Sequence, residues 1–270
     1  MASSSLGESS AVFTPMKNSA KPLDVSPFFG KKIASFPSWK RSIVSVLPLH
    51  VLYQLRTELQ LACVRLTSLP VARRYRGATN LKVNIGCGNR GRPSWVNVDC
   101  LALDSVNCVC DCRKVLPFAD NSARMIFTEH FFEHIDYTEE APLFLSECLR
   151  VLQPAGIIRI VVPDAERYLR AYCEPGWDAM TRVRGLGMDH FDRYTGCAYR
   201  TKMELVNEVF RQAYTHKFAY DYETVERLLT DVGFARIVRQ EFGTSLNPEL
   251  AIDLEDRAHE SLYVEGVKGS

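Results

Sequence analysis

The sequence predicts an α/β domain built on a mostly parallel sheet with helices on both faces. Leu81, Val83 and Ile85 mark a buried strand that runs directly into a glycine-rich turn over residues 86–91. The stretch 157–162 is almost entirely apolar, as is typical of a strand at the centre of a parallel sheet. Because ligands of open parallel sheets sit at the carboxyl ends of the strands, we expect the binding site at this turn.

The chain has 270 residues, of which 46% are hydrophobic, enough for one large or two small domains with a core. No apolar run reaches about 18 residues, so we expect no transmembrane helix. Nine cysteines occur without a secretory signal or a C-x-x-C pair, which favours a reducing compartment.

Charge is unevenly distributed along the chain. Residues 1–80 contain 11 basic and 3 acidic side chains, and residues 81–270 contain 22 basic and 29 acidic side chains. The net acidic charge of residues 81–270 is a poor match for binding nucleic acid.

Residues 1–42 are rich in Ser, Pro and Lys and lack periodicity, which predicts a disordered tail. Their serine-rich start and few acids also fit an organelle transit peptide, although no Arg precedes Arg41. The expected location is cytoplasmic, and the alternative is a plastid or another organelle.

Residues 43–80 are predicted to form a helical extension. The leucines at 49, 52, 55, 59 and 66 fall close to one face of a helix over 49–66. This helix either caps the catalytic domain or makes a peripheral membrane or partner contact through residues 43–76. Three nearby arginines would assist such a contact, namely Arg73, Arg74 and Arg76.

The catalytic domain is predicted over residues 81–270. Its second strand ends at Asp99, and residues 106–112 are predicted as a third strand. Cysteines at 108, 110 and 112 would share one face of that strand, where buried packing is favoured over a metal or redox site.

A fourth strand is predicted to begin at residues 125–127, followed by a helix. Asp136 is expected to cap this helix, with Glu139 completing a capping box and Gly156 marking the end.

An insertion with helical patches is predicted over residues 165–215. A later amphipathic helix over 224–231 is predicted to end at Gly233. The segments 234–242 and 260–267 are predicted to be the last two strands.

The glycine turn also matches the dinucleotide-binding pattern G-x-G-x-x-G. That pattern requires a helix after the glycines and an acidic residue about 20 positions later. Here Pro93 prevents a helix, and Asp99 follows Gly86 by only 13 residues. A nicotinamide cofactor is therefore disfavoured, and it stays as an alternative.

Five motifs occur in order: V-N-I-G-C-G at 83–88, V-N-V-D at 96–99, Asp111 with L-P-F at 116–118, E-H-F-F-E-H at 129–134 and L-R-V-L-Q-P-A-G at 149–156. Together they resemble class I S-adenosylmethionine-dependent methyltransferases, most closely the group associated with polysaccharide and glycan biosynthesis. The resemblance covers residues 81–268 and implies a Rossmann-like sheet with a final antiparallel strand. It also implies S-adenosyl-L-methionine as the cofactor. In most of the family a helix joins the first two strands, whereas only residues 87–94 are available here.

Asp99 ends the second strand and is placed to accept both ribose hydroxyls of that cofactor. By resemblance, Asp111 and Cys112 lie near the adenine, and Glu129 and His130 border the methionine end. The predicted cofactor residues in the turn are Asn84, Gly86, Cys87 and Gly88.

A hydroxyl acceptor benefits from a general base, and histidine suits that role near neutral pH. His216 is the first candidate, because it precedes the late helix whose start overlies the crevice in the resembled fold. Asp164, after the fifth strand, is the second candidate, and His190 is the third. A surface or capping role is the alternative for each. His134 is interpreted as structural, and no metal site is predicted.

The predicted function is O-methylation of a sugar, a glycan precursor or another small metabolite. The alternatives are a nicotinamide-dependent oxidoreductase and a catalytically silent cofactor-binding partner subunit. The expected partner is a small-molecule or glycan acceptor, without nucleic acid. The acceptor and the oligomeric state stay open.

Overall fold

The computed structural model describes residues 48–67, 69–75 and 77–270, and the predicted tail over 1–42 lies outside them. Nine strands follow in chain order: β1 (Leu81–Ile85), β2 (Val96–Asp99), β3 (Cys108–Val109), β4 (Ala123–Glu129), β5 (Leu152–Pro163), β6 (Phe191–Asp192), β7 (Cys197–Ala198), β8 (Arg236–Gln240) and β9 (Ser261–Val267). Strands β6 and β7 form a separate two-stranded ribbon, and the other seven form the central sheet.

The central sheet has the order β3-β2-β1-β4-β5-β9-β8. Strands β1 to β5 pair in parallel. Strand β9 lies antiparallel between β5 and β8, with Ile160 opposite Val264. The predicted Rossmann-like class I methyltransferase sheet is therefore confirmed, including its final antiparallel strand.

Seven α-helices surround the sheet in the described part of the chain: α1 (Leu49–Thr67), α2 (Leu69–Tyr75), α3 (Glu140–Val151), α4 (Ala165–Cys173), α5 (Asp178–Arg184), α6 (Lys202–Arg211) and α7 (Tyr222–Val232). Helix α7 ends at Gly233, as the sequence predicts. The left-handed φ of 108° at Gly233 lets its amide donate hydrogen bonds to the Leu229 and Thr230 carbonyls. Helices α4, α5 and α6 and the small ribbon occupy the predicted insertion.

The main core lies between the sheet and helices α3 and α7. Val83, Ile126 and Ile158 are fully buried on the sheet, and Phe144 and Leu229 are fully buried on the helices. A smaller core holds the insertion together. These cores fix the strand ends at which the polar site residues lie.

The predicted third strand over 106–112 is much shorter than expected. Only Cys108 and Val109 pair with β2, which is itself four residues long. Cys110 and Cys112 are nevertheless buried, with their Sγ atoms 3.9 Å apart. The cysteine side chains that were predicted to share a buried face are therefore buried even beyond the end of the strand.

Two predicted ends of α3 are also wrong. The helix begins at Glu140, and Asp136 instead accepts hydrogen bonds from the Thr138 and Glu139 amides in the turn before it. Glu140, and not Glu139, accepts a bond from the Asp136 amide at 2.9 Å. The helix ends at Val151, because Pro154 cannot continue it. Gly156 therefore lies within β5.

Helix α1 packs against the catalytic domain with its polar side and presents three of its leucines to solvent. Leu55, Leu59 and Leu66 are 53%, 60% and 80% exposed, whereas Leu61 is buried. The polar side of the helix, including Glu58, faces the catalytic domain. A peripheral membrane or partner contact through the leucine face stays a prediction.

Candidate functional site

The turn after β1 contains two glycines with left-handed backbones, with φ of +69° at Gly86 and +51° at Gly88. A Cβ built on Gly86 would lie only 2.4 Å from the Phe131 Cβ, so the close approach there requires glycine. The Gly88 amide donates to Asp99 Oδ2 at 2.8 Å, and the Leu101 amide donates to Oδ1 at 2.9 Å. Asp99 is thus held rigidly, and each oxygen keeps a lone pair for a ligand.

Two buried asparagines hold the short connection between β1 and β2, where most members of the resembled family have a helix. Asn84 donates from Nδ2 to Asn97 Oδ1 at 3.1 Å, and the Arg92 amide donates to the same oxygen at 2.8 Å. Asn97 Nδ2 donates back to the Arg92 carbonyl at 3.0 Å. These bonds fix the short connection between β1 and β2, and they explain how the turn keeps its shape without a helix.

A cavity of about 400 Å³ lies at the carboxyl ends of β1, β2 and β3. Four of the predicted cofactor residues line it: Gly86, Asp99, Asp111 and Cys112. The other five, Asn84, Cys87, Gly88, Glu129 and His130, are not part of its lining. Glu129 instead accepts a bond from the Leu254 amide at 3.0 Å, and its burial raises the pKa of that carboxyl.

Several lining residues were not predicted from the sequence. Tyr53, Thr57 and Glu58 come from helix α1, and Thr215 and Lys217 come from the segment before α7. Gln54 and Glu58 lie off the leucine face of the predicted helix, and both line the cavity. The signal in the sequence was therefore a pair of polar residues four positions apart on one face of the helix.

The Asp111 carboxylate, 2% exposed, lies at one end of the cavity and is bound by arginines. Arg113 donates from Nε to Asp111 Oδ1 at 3.0 Å, and Arg65 Nε of α1 lies 3.4 Å from Oδ2. Arg113 also donates from Nη1 to Glu58 Oε1 at 2.7 Å, and this hydrogen bond lowers the pKa of Glu58. Helix α1 therefore closes the adenine end of the predicted site through charged side chains.

The cysteines of the cavity are neutral thiols. Burial, with Asp99 nearby, raises the pKa of Cys100 to about 12. The hydrogen bond to Cys112 and burial raise the pKa of Cys110, against the opposing bond to Cys108. Burial also raises the pKa of Cys112, although its bond to Cys110 opposes this shift. All nine cysteines are free. These side chains can pack against a ligand, and they lack the thiolate that nucleophilic catalysis requires.

None of the three predicted bases lines this cavity. Asp164 is fully buried and caps α4, accepting from the Arg167 amide at 3.1 Å. Its Oδ2 also lies 3.3 Å from Arg239 Nη2. His190 stacks on Trp177 with ring centroids 3.7 Å apart.

His216 lies in a cluster with Glu133 and His134. Its Nδ1 donates to the Val209 carbonyl at 2.6 Å, and its Nε2 lies 3.9 Å from Glu133 Oε1. Burial lowers the pKa of His216 to about 4, although Glu133 opposes this shift. Burial alone would raise the pKa of Glu133, but His130 and the other two histidines lower it to about 2.

The histidine cluster borders two cavities. His216 and Glu133 line a second cavity of about 140 Å³, and His134 lines both this cavity and the larger one. The second cavity is also lined by Arg184 and Glu208. A polar chamber therefore lies beside the cavity that contains Asp99.

Residues 83–160 match a family model described as a methyltransferase domain. This match covers less than a third of the chain, and it indicates a methyltransferase with S-adenosylmethionine as its cofactor. The glycine cradle at Gly86 and the free lone pairs of Asp99 fit that cofactor. The match favours the methyltransferase over the nicotinamide-dependent alternative.

The chain is also similar to solved structures at low identity. A SAM-dependent methyltransferase from Thermotoga maritima has 15% identity and a TM-score of 0.43, covering 81% of this chain and 95% of that one. One from Methanosarcina mazei has 14% identity and a TM-score of 0.41, covering 74% and 97%. The YcgJ protein from Bacillus subtilis has 12% identity and a TM-score of 0.39, covering 79% and 99%.

A search of curated proteins finds no match. No helix among the described residues is long and apolar enough to cross a membrane.

Proposed function

We propose that this methyltransferase methylates a hydroxyl group of a sugar, a glycan precursor or another small metabolite. The observation that carries the proposal is the position of His134, which lines both the cavity containing Asp99 and the second, polar cavity. The larger cavity suits the cofactor, and the polar chamber suits an acceptor rich in hydroxyl groups. A methyl group would pass between them beside His134.

The proposed cofactor contacts use the carboxylates of the larger cavity. Asp99 accepts from the ribose hydroxyls with the lone pairs that its backbone bonds leave free. Asp111 lies near the adenine, where its bonds to Arg113 and Arg65 hold it in place. When bound, S-adenosylmethionine supplies an electrophilic methyl group. The chain's task is then positioning, which can contribute roughly 7–11 kcal/mol to lowering the barrier.

The proposed acceptor activation uses the histidine cluster. Burial keeps His216 neutral near pH 7, so its Nε2 lone pair can accept a hydrogen bond from an acceptor hydroxyl and orient it. A pKa of about 4 makes His216 a weak proton acceptor, so its proposed role is to position the hydroxyl more than to remove its proton. Asp164 is less suited to this role, because its oxygens already serve the α4 cap and two arginines. We therefore assign Asp164 to positioning α4 and keep His216 for the acceptor's hydroxyl.

The test is a product assay with the full chain and methyl-labelled S-adenosylmethionine. Acceptors would include monosaccharides, nucleotide sugars, and amines of similar size, and mass spectrometry would locate the added methyl group. The proposal predicts transfer to a hydroxyl oxygen of a sugar-like acceptor. Transfer to nitrogen or carbon would contradict O-methylation, and cofactor binding without transfer to any acceptor class would favour the silent-subunit alternative.

A further inference from the structure

Glu133 is buried without the partners that a buried carboxylate needs. Its side chain is 2% exposed, and neither of its carboxylate oxygens accepts a hydrogen bond from the described residues. His130 Nδ1 lies 3.3 Å from Oε1, and it can neutralise the carboxylate only while its imidazole is protonated. A buried, unpaired charge of this kind is strongly destabilising unless a cation neutralises it.

Two histidines face this carboxylate in the arrangement that metal ligands adopt. The Nδ1 atoms of His134 and His216 each donate to a backbone carbonyl, those of Thr215 at 3.1 Å and Val209 at 2.6 Å. Each imidazole therefore keeps Nε2 as its lone-pair nitrogen. Metal-binding histidines are usually oriented by such a bond from the other ring nitrogen.

One donor atom from each of Glu133, His134 and His216 lies within 4.8 Å of the other two. Zinc binds histidine nitrogen and carboxylate oxygen at roughly 2.0–2.2 Å, so small side-chain rotations would bring all three onto one ion. We propose that Glu133, His134 and His216 bind a divalent transition-metal ion, with Zn²⁺ as the representative species. Two imidazoles and one carboxylate select such an ion over Mg²⁺ or Ca²⁺, which prefer oxygen ligands.

The residues around the three ligands are rigid. The Lys217 amide donates to the Glu133 carbonyl at 2.7 Å, which ties the segment containing His216 to the turn containing Glu133. His130 Nε2 lies 3.0 Å from Ser261 Oγ, so its ring is held beside the carboxylate. A preformed set of ligands on bonded segments lowers the ordering cost of binding an ion.

The role of this ion rests on the proposed function. Three protein ligands leave a fourth position open, toward a cavity that His134 shares with the cofactor side. An acceptor hydroxyl bound there would lose its proton to solvent water more readily. The alkoxide oxygen then forms a bond to the methyl carbon, the sulfur–carbon bond breaks, and sulfur keeps the electron pair as S-adenosylhomocysteine. His216 is then a metal ligand, and the metal replaces it as the activating group.

The first test measures metal binding without using activity. The untagged full chain, stripped with a chelator, would be dialysed against Zn²⁺ and then against Co²⁺ for visible and X-ray absorption spectroscopy. We expect one bound ion with nitrogen and oxygen ligands, and at least tenfold weaker binding in Glu133→Gln and His216→Gln. His259→Gln is the matched control, because His259 is exposed and outside the cluster. Sulfur ligation, or equal binding by all variants, would overturn the site.

The second test separates the ion from the rest of the function. Zn²⁺ should raise the melting temperature of the wild type and of His259→Gln, but not of Glu133→Gln, since only an intact site binds the folded state preferentially. S-adenosylhomocysteine affinity should change less than twofold in Glu133→Gln, which shows that the variant is folded. Methyl transfer that is unaffected by metal removal would contradict the activating role while leaving the methyltransferase itself intact.

Discussion

Arg113 Nη1 donates to Glu58 Oε1 at 2.7 Å, joining the cavity to a helix 55 residues earlier in the chain. The same guanidinium holds Asp111 at 3.0 Å. Helix α1 is therefore attached to the residue that we place beside the adenine. Helix α1 forms one wall of the cavity that we propose for the cofactor, and cofactor exchange should depend on it.

We predict that Glu58→Ala speeds cofactor release. The Glu58 side chain is largely exposed, so the bond contributes only about 0.2–1 kcal/mol, and S-adenosylhomocysteine should dissociate up to about fivefold faster. Stopped-flow measurement on the full chain would check this. Gln60→Ala is the control, because Gln60 is exposed and does not line the cavity. An equal dissociation rate in both variants would remove α1 from the binding site.

The two turn glycines should respond differently to alanine. A Cβ at Gly86 meets Phe131 at 2.4 Å, whereas a Cβ at Gly88 meets nothing within 4 Å. Both variants bear the left-handed backbone penalty of about 1–2 kcal/mol. Gly86→Ala should lose roughly 1–3 kcal/mol of unfolding free energy beyond that, because its methyl group overpacks the turn. Urea unfolding of the pair measures the difference, and equal losses would contradict the packing seen at Phe131.

Arg159 should be critical for stability. It is fully buried and pairs with Asp253 and with Glu265, the latter at 2.9 Å. Arg159→Leu leaves two buried carboxylates without their counterion, and we expect a loss of about 3–5 kcal/mol.

The control for Arg159 is Arg227→Leu. Arg227 pairs with Asp231 on the surface, where such a pair contributes less than about 1 kcal/mol. Equilibrium unfolding of both variants would show the contrast. A loss below about 1 kcal/mol for Arg159→Leu would mean that the ion pairs of Arg159 with Asp253 and Glu265 contribute little to the stability.

Glu260 should make the free energy of unfolding depend on pH in the acidic range. Burial alone would raise its pKa, but Arg184 and Arg257 lower it to about 2. A lowered carboxyl pKa stabilises the fold fully above about 4.5, and this stabilisation is lost as the pH falls toward 2. The loss is on the order of 3 kcal/mol.

Urea unfolding of the full chain at pH 3 and pH 7 would check this dependence. Glu260→Gln should be less stable than the wild type at pH 7, and the difference should shrink at pH 3. Glu255→Gln, at an exposed position, should behave like the wild type. A constant difference for Glu260→Gln at both pH values would contradict the assigned pKa direction.

The fold was largely predictable because its signals are local. The apolar strand ending in Gly86, the helix ending at Gly233 and the last two strands each carry a period or a terminating residue that acts over a few positions. The predicted third strand failed for a different reason. Strand length depends on the partner available, and β2 offers only two residues for pairing with Cys108 and Val109.

The site was less predictable than the fold. Asp99 ends a strand next to the glycine turn, so its place in the cavity followed from sheet geometry. The place of Asp111 followed only from the family resemblance. The contribution of Glu58, and the contact between Glu133 and His216, depend on how distant segments pack. His134 was interpreted as a structural residue between the fourth strand and the following helix, and no local pattern shows that His216 lies beside it.

The central claim is that the cavity at Gly86 and Asp99 binds the methyl donor. The most direct measurement is a calorimetric titration of S-adenosylhomocysteine into the full chain and into Asp99→Ala, with Asp104→Ala as the control at an exposed position. We predict binding that weakens about ten- to a hundredfold in Asp99→Ala, from the loss of roughly 1.5–3 kcal/mol, and is unchanged in Asp104→Ala. Equal affinity of Asp99→Ala and the wild type would contradict the assignment of Asp99, and no binding by the wild type would contradict the central claim.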